Sequence, residues 1–223
     1  MSHIQFLKTY VKDYRVGALF PSSQAVVQRV VRSLDPGAKH VIEYGAGDGA
    51  ITAGLLEAVS EDGKIVAIET NKHFLRKLEE INDPRLVVLC ADVRDIVQDF
   101  SALNLPRIDA VVSGIPFSFF NKNLRNEILA KTAAAVSPSG QFIAYQHSPL
   151  ITSALKTHFG SVSLGFEPRN IFPYFIMNAR KNYAPTGISF PFQEMPGSCA
   201  SSLPSNPDCS IMLPPGFEPG FQP

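Results

Sequence analysis

The sequence has no excess of charge: 20 Lys and Arg balance 20 Asp and Glu over 223 residues. Bulk charge therefore predicts no strong pull toward nucleic acid. There is no apolar run near the roughly 18–20 residues that a membrane-spanning helix needs. The first residues lack the apolar core and small-residue cleavage site of a secretory signal. Cysteine is scarce. Cys90, Cys199 and Cys209 offer no metal-ligand spacing and do not suggest a disulfide framework, and His3, His40, His73 and His158 form no cluster. No metal site is expected, and a cytoplasmic location is the default. What is present is a 45% hydrophobic composition, enough for one domain with a sizeable core.

Basic residues and regular patterning both stop near position 182. Residues 183–223 contain no Lys or Arg, three acids (Glu194, Asp208, Glu218) and nine of the 18 prolines. Proline removes a backbone donor and fixes φ, so helices and central strands are not expected there. This segment, 183–223, reads as a proline-rich disordered tail, native or appended. Without it, residues 1–182 carry 20 basic side chains against 17 acidic ones.

At the other end, Ile4, Leu7, Val11 and Tyr14 share one helical face, with Lys8, Lys12 and Arg15 among them. Such a stripe packs on its own domain or lies on a membrane surface. A second helix is expected from Ser23 to Leu34, ended by Asp35-Pro36-Gly37. Residues 1–36 are thus read as N-terminal helices that cap the site, and 37–182 as the main domain. Within 37–182, strands are expected at His40–Tyr44, Lys64–Glu69, Arg85–Cys90, Asp109–Ser113 and Gln141–Gln146. Helices at Ala50–Val59, Lys72–Ile81, 94–102, Lys122–Val136 and Leu150–Phe159 alternate with them. Two further strands, Ser161–Phe166 and Tyr174–Ala179, follow. This alternation predicts an α/β fold with a mostly parallel sheet covered by helices on both faces.

The stretch Val41-Ile-Glu-Tyr-Gly-Ala-Gly-Asp-Gly-Ala-Ile-Thr52 carries the chemistry. Gly45, Gly47 and Gly49 fall between a strand and a helix, at the end of a parallel sheet where ligands bind. Glycine lets backbone approach a ligand and adopt positive φ. A dinucleotide and S-adenosylmethionine both use such a turn, and Gly45-x-Gly47-x-x-Ala50 with Glu69 meets the loose dinucleotide pattern. Three features favour the second ligand. Glu43 can pair with an amino group but would repel a pyrophosphate. Asp92 follows the third strand, placed to accept from an adenine amine. Ser113-Gly-Ile-Pro-Phe117 follows the fourth strand, where a methyl acceptor would lie.

Taken together, these motifs resemble those of the class I S-adenosylmethionine-dependent methyltransferases. The resemblance covers roughly residues 15–180. It implies a Rossmann-like seven-stranded sheet with its last strand antiparallel, and S-adenosylmethionine as cofactor. It implies that Gly45, Gly47 and Gly49 pack under the methionyl part and that Glu43 helps hold its ammonium. Glu69 would accept both ribose hydroxyls, and Asp92 and Val93 would contact adenine. Ser113, Gly114, Pro116 and Phe117 would form the acceptor side, with Phe117, Phe119 and Phe120 as a pocket wall or as core. Tyr145 and His147, after the fifth strand, are candidates to line the acceptor site. His147 is a candidate base, or else a surface or capping histidine.

Base amino methyltransferases carry Asn or Asp where this chain has Gly114; the side-chain acceptor is missing while the aromatic remains. The pattern is similar to that of bacterial phospholipid N-methyltransferases, which have Ser-Gly-Leu-Pro there. It is more distantly similar to ribosomal RNA adenine dimethyltransferases, which carry a helical RNA-binding domain after the sheet, where this sequence has its proline-rich segment. The expected reaction is therefore N-methylation of a lipid amine such as phosphatidylethanolamine. Residues 3–15 would touch the membrane, giving a peripheral location at the inner surface. The alternatives are an RNA adenine N-methyltransferase, a small-molecule methyltransferase, and a cofactor-binding protein without catalysis.

Overall fold

The structure is a computed structural model that describes residues 22–170 and 172–181. The amphipathic stripe, the proposed membrane contact at 3–15 and the proline-rich segment lie outside the described residues.

Five short runs rich in Val, Ile and Leu form parallel strands: β1 (His40–Tyr44), β2 (Lys64–Glu69), β3 (Leu86–Cys90), β4 (Ala110–Ser113) and β5 (Gln141–Gln146). They are nearly unbroken in apolar character because both faces are covered. β6 (Gly160–Glu167) and β7 (Tyr174–Lys181) complete a seven-stranded sheet in the order β3-β2-β1-β4-β5-β7-β6. β7 lies antiparallel to both β5 and β6. β3 and β6 are the two edges, and the exposed Ser161 and Ser163 of β6 suit that position.

Alternate residues of each strand enter two cores. One face packs Val41, Ile65, Val112 and Ile143 against α1 (Gln24–Ser33), α2 (Ala50–Ala58) and α3 (Lys72–Glu79). The other packs Ile42, Tyr44, Val111 and Phe142 against α4 (Val93–Ile96), α5 (Lys122–Ala135) and α6 (Thr152–Phe159). α1 is tied down at both ends. The Ser23 hydroxyl accepts from the Val26 amide and donates to the Arg169 carbonyl at 2.7 Å. At the far end, the Ser33 carbonyl accepts from Gln141 Nε2 and Asn178 Nδ2.

The helix expected over 94–102 is interrupted. Asp92 caps α4, and Asp99 accepts the Ser101 amide at 2.9 Å, starting a separate 3-10 turn at Phe100–Leu103. Two aspartates bonding to backbone two residues ahead replace one helix with two short pieces.

β1 and β4 are neighbours although β2 and β3 lie between them in sequence. The chain leaves β1 toward one edge and returns from β4 toward the other. A crevice must open at the carboxyl ends of these two strands, and ligands of open α/β sheets bind in such a crevice.

Candidate active site

The glycine turn closes β1 tightly. The Gly45 and Ala46 amides both donate to the Ile68 carbonyl, at 2.8 and 3.2 Å, which swings the chain off the strand. Gly45, Gly47 and Gly49 then take φ of +71°, +57° and +85°, a region that side chains strongly disfavour. Two of them are also sterically closed. A Cβ at Gly45 would lie 2.8 Å from Ile115 Cγ2, and one at Gly49 would lie 2.9 Å from Ile81 Cδ1. Gly47 differs, because nothing lies within 4 Å of where its Cβ would be. That open side is a backbone cradle.

Glu43 is fully buried one residue before the end of β1. Its Oε2 accepts the Thr52 hydroxyl of α2 at 2.6 Å, whereas its buried Oε1 has no partner. Burial raises its pKa to about 8, against the pull of the Thr52 hydrogen bond, and the charges of Glu69 and Asp48 add to the rise. The site thus holds a buried carboxyl with one unused oxygen, which a cation would ionise.

Glu69 ends β2 and reaches back over the turn. Its Oε2 accepts the Gly47 amide at 2.9 Å, and its Oε1 accepts the Thr70 and Asn71 amides, each at 2.8 Å. The residue expected to take two ribose hydroxyls therefore also pins the glycine turn, and Oε2 keeps the larger share of unused acceptor capacity. Asp92 makes a forked pair with Arg94 at 2.9 and 2.7 Å and accepts the Arg94 amide. Burial alone would raise its pKa, but these bonds to Arg94 outweigh it and hold the carboxyl below its usual range. Val93 is buried in the core beneath.

The loop after β4 separates the residues expected on the acceptor side. Ser113 is 1% exposed, and its Oγ lacks a partner. The Gly114 amide continues the β1–β4 ladder to the Tyr44 carbonyl at 2.9 Å. Pro116 opens a 3-10 turn over Phe117–Phe119. Phe117 is not a pocket wall: it is completely buried, edge-on to Phe120 at 5.9 Å and Phe142 at 6.3 Å. The turn rotates it into the core and leaves Phe119, 42% exposed, on the surface; Phe120 is half-buried. An aromatic stacked on an acceptor is therefore not Phe117 in this conformation.

The end of β5 brings three more polar side chains to this end of the sheet. Tyr145 is buried on the same sheet face as Glu43, since Glu43 pairs with Val112, Val112 with Ile143, and Tyr145 lies two residues on. Gln146 faces the other way. Its Oε1 accepts the Phe117 amide at 3.3 Å, while its buried Nε2 lacks a partner. His147 is exposed and set beyond the strand, with Nδ1 at 3.0 Å from the Pro173 carbonyl and its ring 4.1 Å from that of Tyr174. A carbonyl can only accept, so Nδ1 carries the proton. Partial burial lowers the His147 pKa more than this bond raises it.

Of the six buried side-chain polar atoms without a hydrogen-bond partner among the described residues, three lie at the carboxyl ends of β1, β4 and β5, on Glu43, Ser113 and Gln146; the others, on His40, Gln141 and Asn178, lie away from these ends. A carboxyl oxygen awaiting a cation and an open glycine cradle fit the amino-acid part of S-adenosylmethionine. A pyrophosphate brings no cation to that oxygen. No group of three or more His, Cys, Asp or Glu among the described residues is arranged to hold a metal ion.

The comparisons agree with this geometry. Residues 41–140 match the family described as a methyltransferase domain. An ornithine lipid N-methyltransferase of Singulisphaera acidiphila is 30% identical over 175 residues, covering 75% of this chain and 91% of that protein. A ribosomal RNA small subunit methyltransferase A of Xanthomonas euvesicatoria is 30% identical over 106 residues, 46% of this chain but only 38% of that protein. Among solved structures, a precorrin-6y C5,15-methyltransferase of Geobacter metallireducens superposes with a TM-score of 0.58 at 16% identity, over 73% of this chain and 90% of that one. A didemethyltoxoflavin N1-methyltransferase of Burkholderia thailandensis, bound to S-adenosylhomocysteine, gives 0.57 at 15% identity, over 81% and 91%. The strand order, the glycine turn and these relatives agree, and this chain belongs to the class I S-adenosylmethionine-dependent methyltransferases.

Proposed function

We propose that this enzyme transfers a methyl group to the amine nitrogen of a membrane lipid head group, of the phosphatidylethanolamine or ornithine-lipid kind. The observation that carries the reading is the relative that acts on ornithine lipid, which this chain matches across 91% of its length. The site supports it. Aromatic and amide amines have delocalised lone pairs and need a side-chain acceptor to localise them. Position 114 has no side chain to do so. An alkylamine already has a localised lone pair, and needs only desolvation, deprotonation and alignment.

When bound, S-adenosylmethionine supplies a methyl group on a positively charged sulfur. The chain's residues have the following roles in this reading. Glu43 takes the methionine ammonium on its unused oxygen, and the Gly45–Gly49 backbone lies beneath. Glu69 turns its remaining acceptor capacity to the ribose hydroxyls, and Asp92 with Val93 borders the adenine. Methyl transfer from the bound sulfonium would leave the electron pair of the C–S bond on sulfur and the methylated nitrogen with one proton to lose. Ser113 and Pro116 border the acceptor, and neutral His147 receives the proton. Contact of residues 3–15 with an anionic lipid surface belongs to the same reading; no helix of the described residues is long and apolar enough to cross a membrane.

A second reading, methylation of an RNA adenine, draws on the 106-residue match to the ribosomal RNA enzyme. Incubation with methyl-labelled S-adenosylmethionine, phosphatidylethanolamine vesicles and ribosomal RNA separates the two. Label in the extracted lipid is expected. Label in the RNA alone would replace the first reading by the second.

A further inference from the structure

The absence of a side chain at position 114 has a structural cause. The backbone there is not in a glycine-only region; only Gly45, Gly47, Gly49 and Gly160 have positive φ among the described glycines. Space is the constraint. A Cβ built on Gly114 would fall inside the Tyr145 hydroxyl, 2.6 Å from Tyr145 Cζ and 3.1 Å from Cε2. The phenol of β5 occupies the place that a residue at 114 would use. It does so on the sheet face that carries Glu43, beside the crevice between β1 and β4.

The phenol is also held in one state. Burial raises its pKa well above the usual value, and the negative charges of Glu43, Asp48 and Glu69 add to the rise, so it stays a neutral O–H at physiological pH. Tyr174, with ring centroids 6.0 Å away, backs the ring. Among the described residues the hydroxyl makes no hydrogen bond, although the rest of the side chain is packed.

We propose that Tyr145 is the acceptor-orienting residue of this enzyme, its hydroxyl oxygen receiving a hydrogen from the amine where other enzymes of the fold use a side chain at position 114. This rests on the reading of the site as one that methylates an amine. A buried neutral phenol offers one directional acceptor and no charge. It orients an N–H without trapping the product ammonium as a carboxylate would. Gly114 and Tyr145 therefore form a specificity pair, since a larger residue at 114 must expel the phenol.

The test does not require the lipid. Sinefungin resembles S-adenosylmethionine but has an amine in place of the methyl-bearing sulfonium, so that amine stands where methyl transfer takes place. Its affinity relative to S-adenosylhomocysteine, from calorimetric titration of the full chain, reads the hydroxyl directly. The wild type is expected to prefer sinefungin. Tyr145→Phe should lose roughly tenfold or more of that preference, a hydrogen bond to a charged group being worth that much. Its S-adenosylhomocysteine affinity should stay within about twofold, since a merely structural role would move both ligands. Gly114→Ala should reproduce the loss by displacing the ring. An unchanged preference in Tyr145→Phe, or no preference in the wild type, would overturn the assignment. Failure of label transfer to lipid with the Tyr145 effect intact would remove the lipid reading alone.

Discussion

Replacing Glu43 by Gln tests the electrostatics of the site without any substrate. Glu43 is wholly buried, with a pKa raised from 4.5 to about 8. The folded state therefore binds a proton that the unfolded state has released, everywhere between those two values. Stability rises with pH only where the unfolded state holds more protons; here the native state does, so stability falls as pH rises from about 4.5 to 8. Ionisation of the unfolded chain already costs about 1 kcal/mol at pH 5, about 3 at pH 7 and about 5 at pH 9, at 1.36 kcal/mol per pKa unit. Gln keeps an oxygen for Thr52 and removes the titration. The cofactor-free Glu43→Gln protein should thus gain on wild type with rising pH. The gain from pH 5 to pH 9 should be about 4 kcal/mol, or roughly 8–16 °C in melting temperature for a domain of this size. Thermal melts at pH 5, 7 and 9 give the difference between the two proteins, so titrations common to both cancel. A difference that stays constant within about 1 kcal/mol across this range would refute the buried, protonated carboxyl.

Other outcomes follow from the same contacts. Binding of S-adenosylmethionine to wild type at pH 7 should release close to one proton, read as a dependence of calorimetric enthalpy on buffer; Glu43→Gln should abolish it and weaken binding. Glu69→Ala should lose most cofactor affinity and, by freeing the Gly47, Thr70 and Asn71 amides, lower stability by about 1–3 kcal/mol in urea titrations. Gly45→Ala should cost about 1–3 kcal/mol from positive φ, with added overlap against Ile115, and the same titration reads it. Asp92→Asn should break the Arg94 fork with little loss of stability, because the pair is partly exposed, while weakening S-adenosylmethionine in calorimetry.

The sheet was legible wherever burial imposed a pattern. His40–Tyr44, Lys64–Glu69 and Gln141–Gln146 are strands to the residue, because each is an apolar run bounded by turn chemistry and covered on both faces. The glycine turn was legible for a related reason, since three positive-φ positions tolerate little but glycine. Side-chain partners were not. Glu69 and Asp92 were placed by their positions after strands, but their bonds to local amides and to Arg94 depend on turn geometry that periodicity does not carry. Phe117 lies past the end of β4 in a 3-10 turn, where strand alternation no longer says which way a ring points. The part played by Tyr145 over Gly114 depends on a contact between strands 31 residues apart in sequence. The alternation of β4 and β5 gave the face, but not the overlap.

β7 has a consequence for how the chain comes into being. The last strand of the described chain, Tyr174–Lys181, lies between two strands made before it and is bonded along its length to both. Until that segment has been synthesised, β5 is a bare edge and β6 has no neighbour in the sheet. A shortened chain ending before Tyr174 would retain the candidate site residues on β1 to β5 and still leave an open edge that invites pairing with other molecules. Losing β7 would then lead to aggregation rather than to a weakened enzyme.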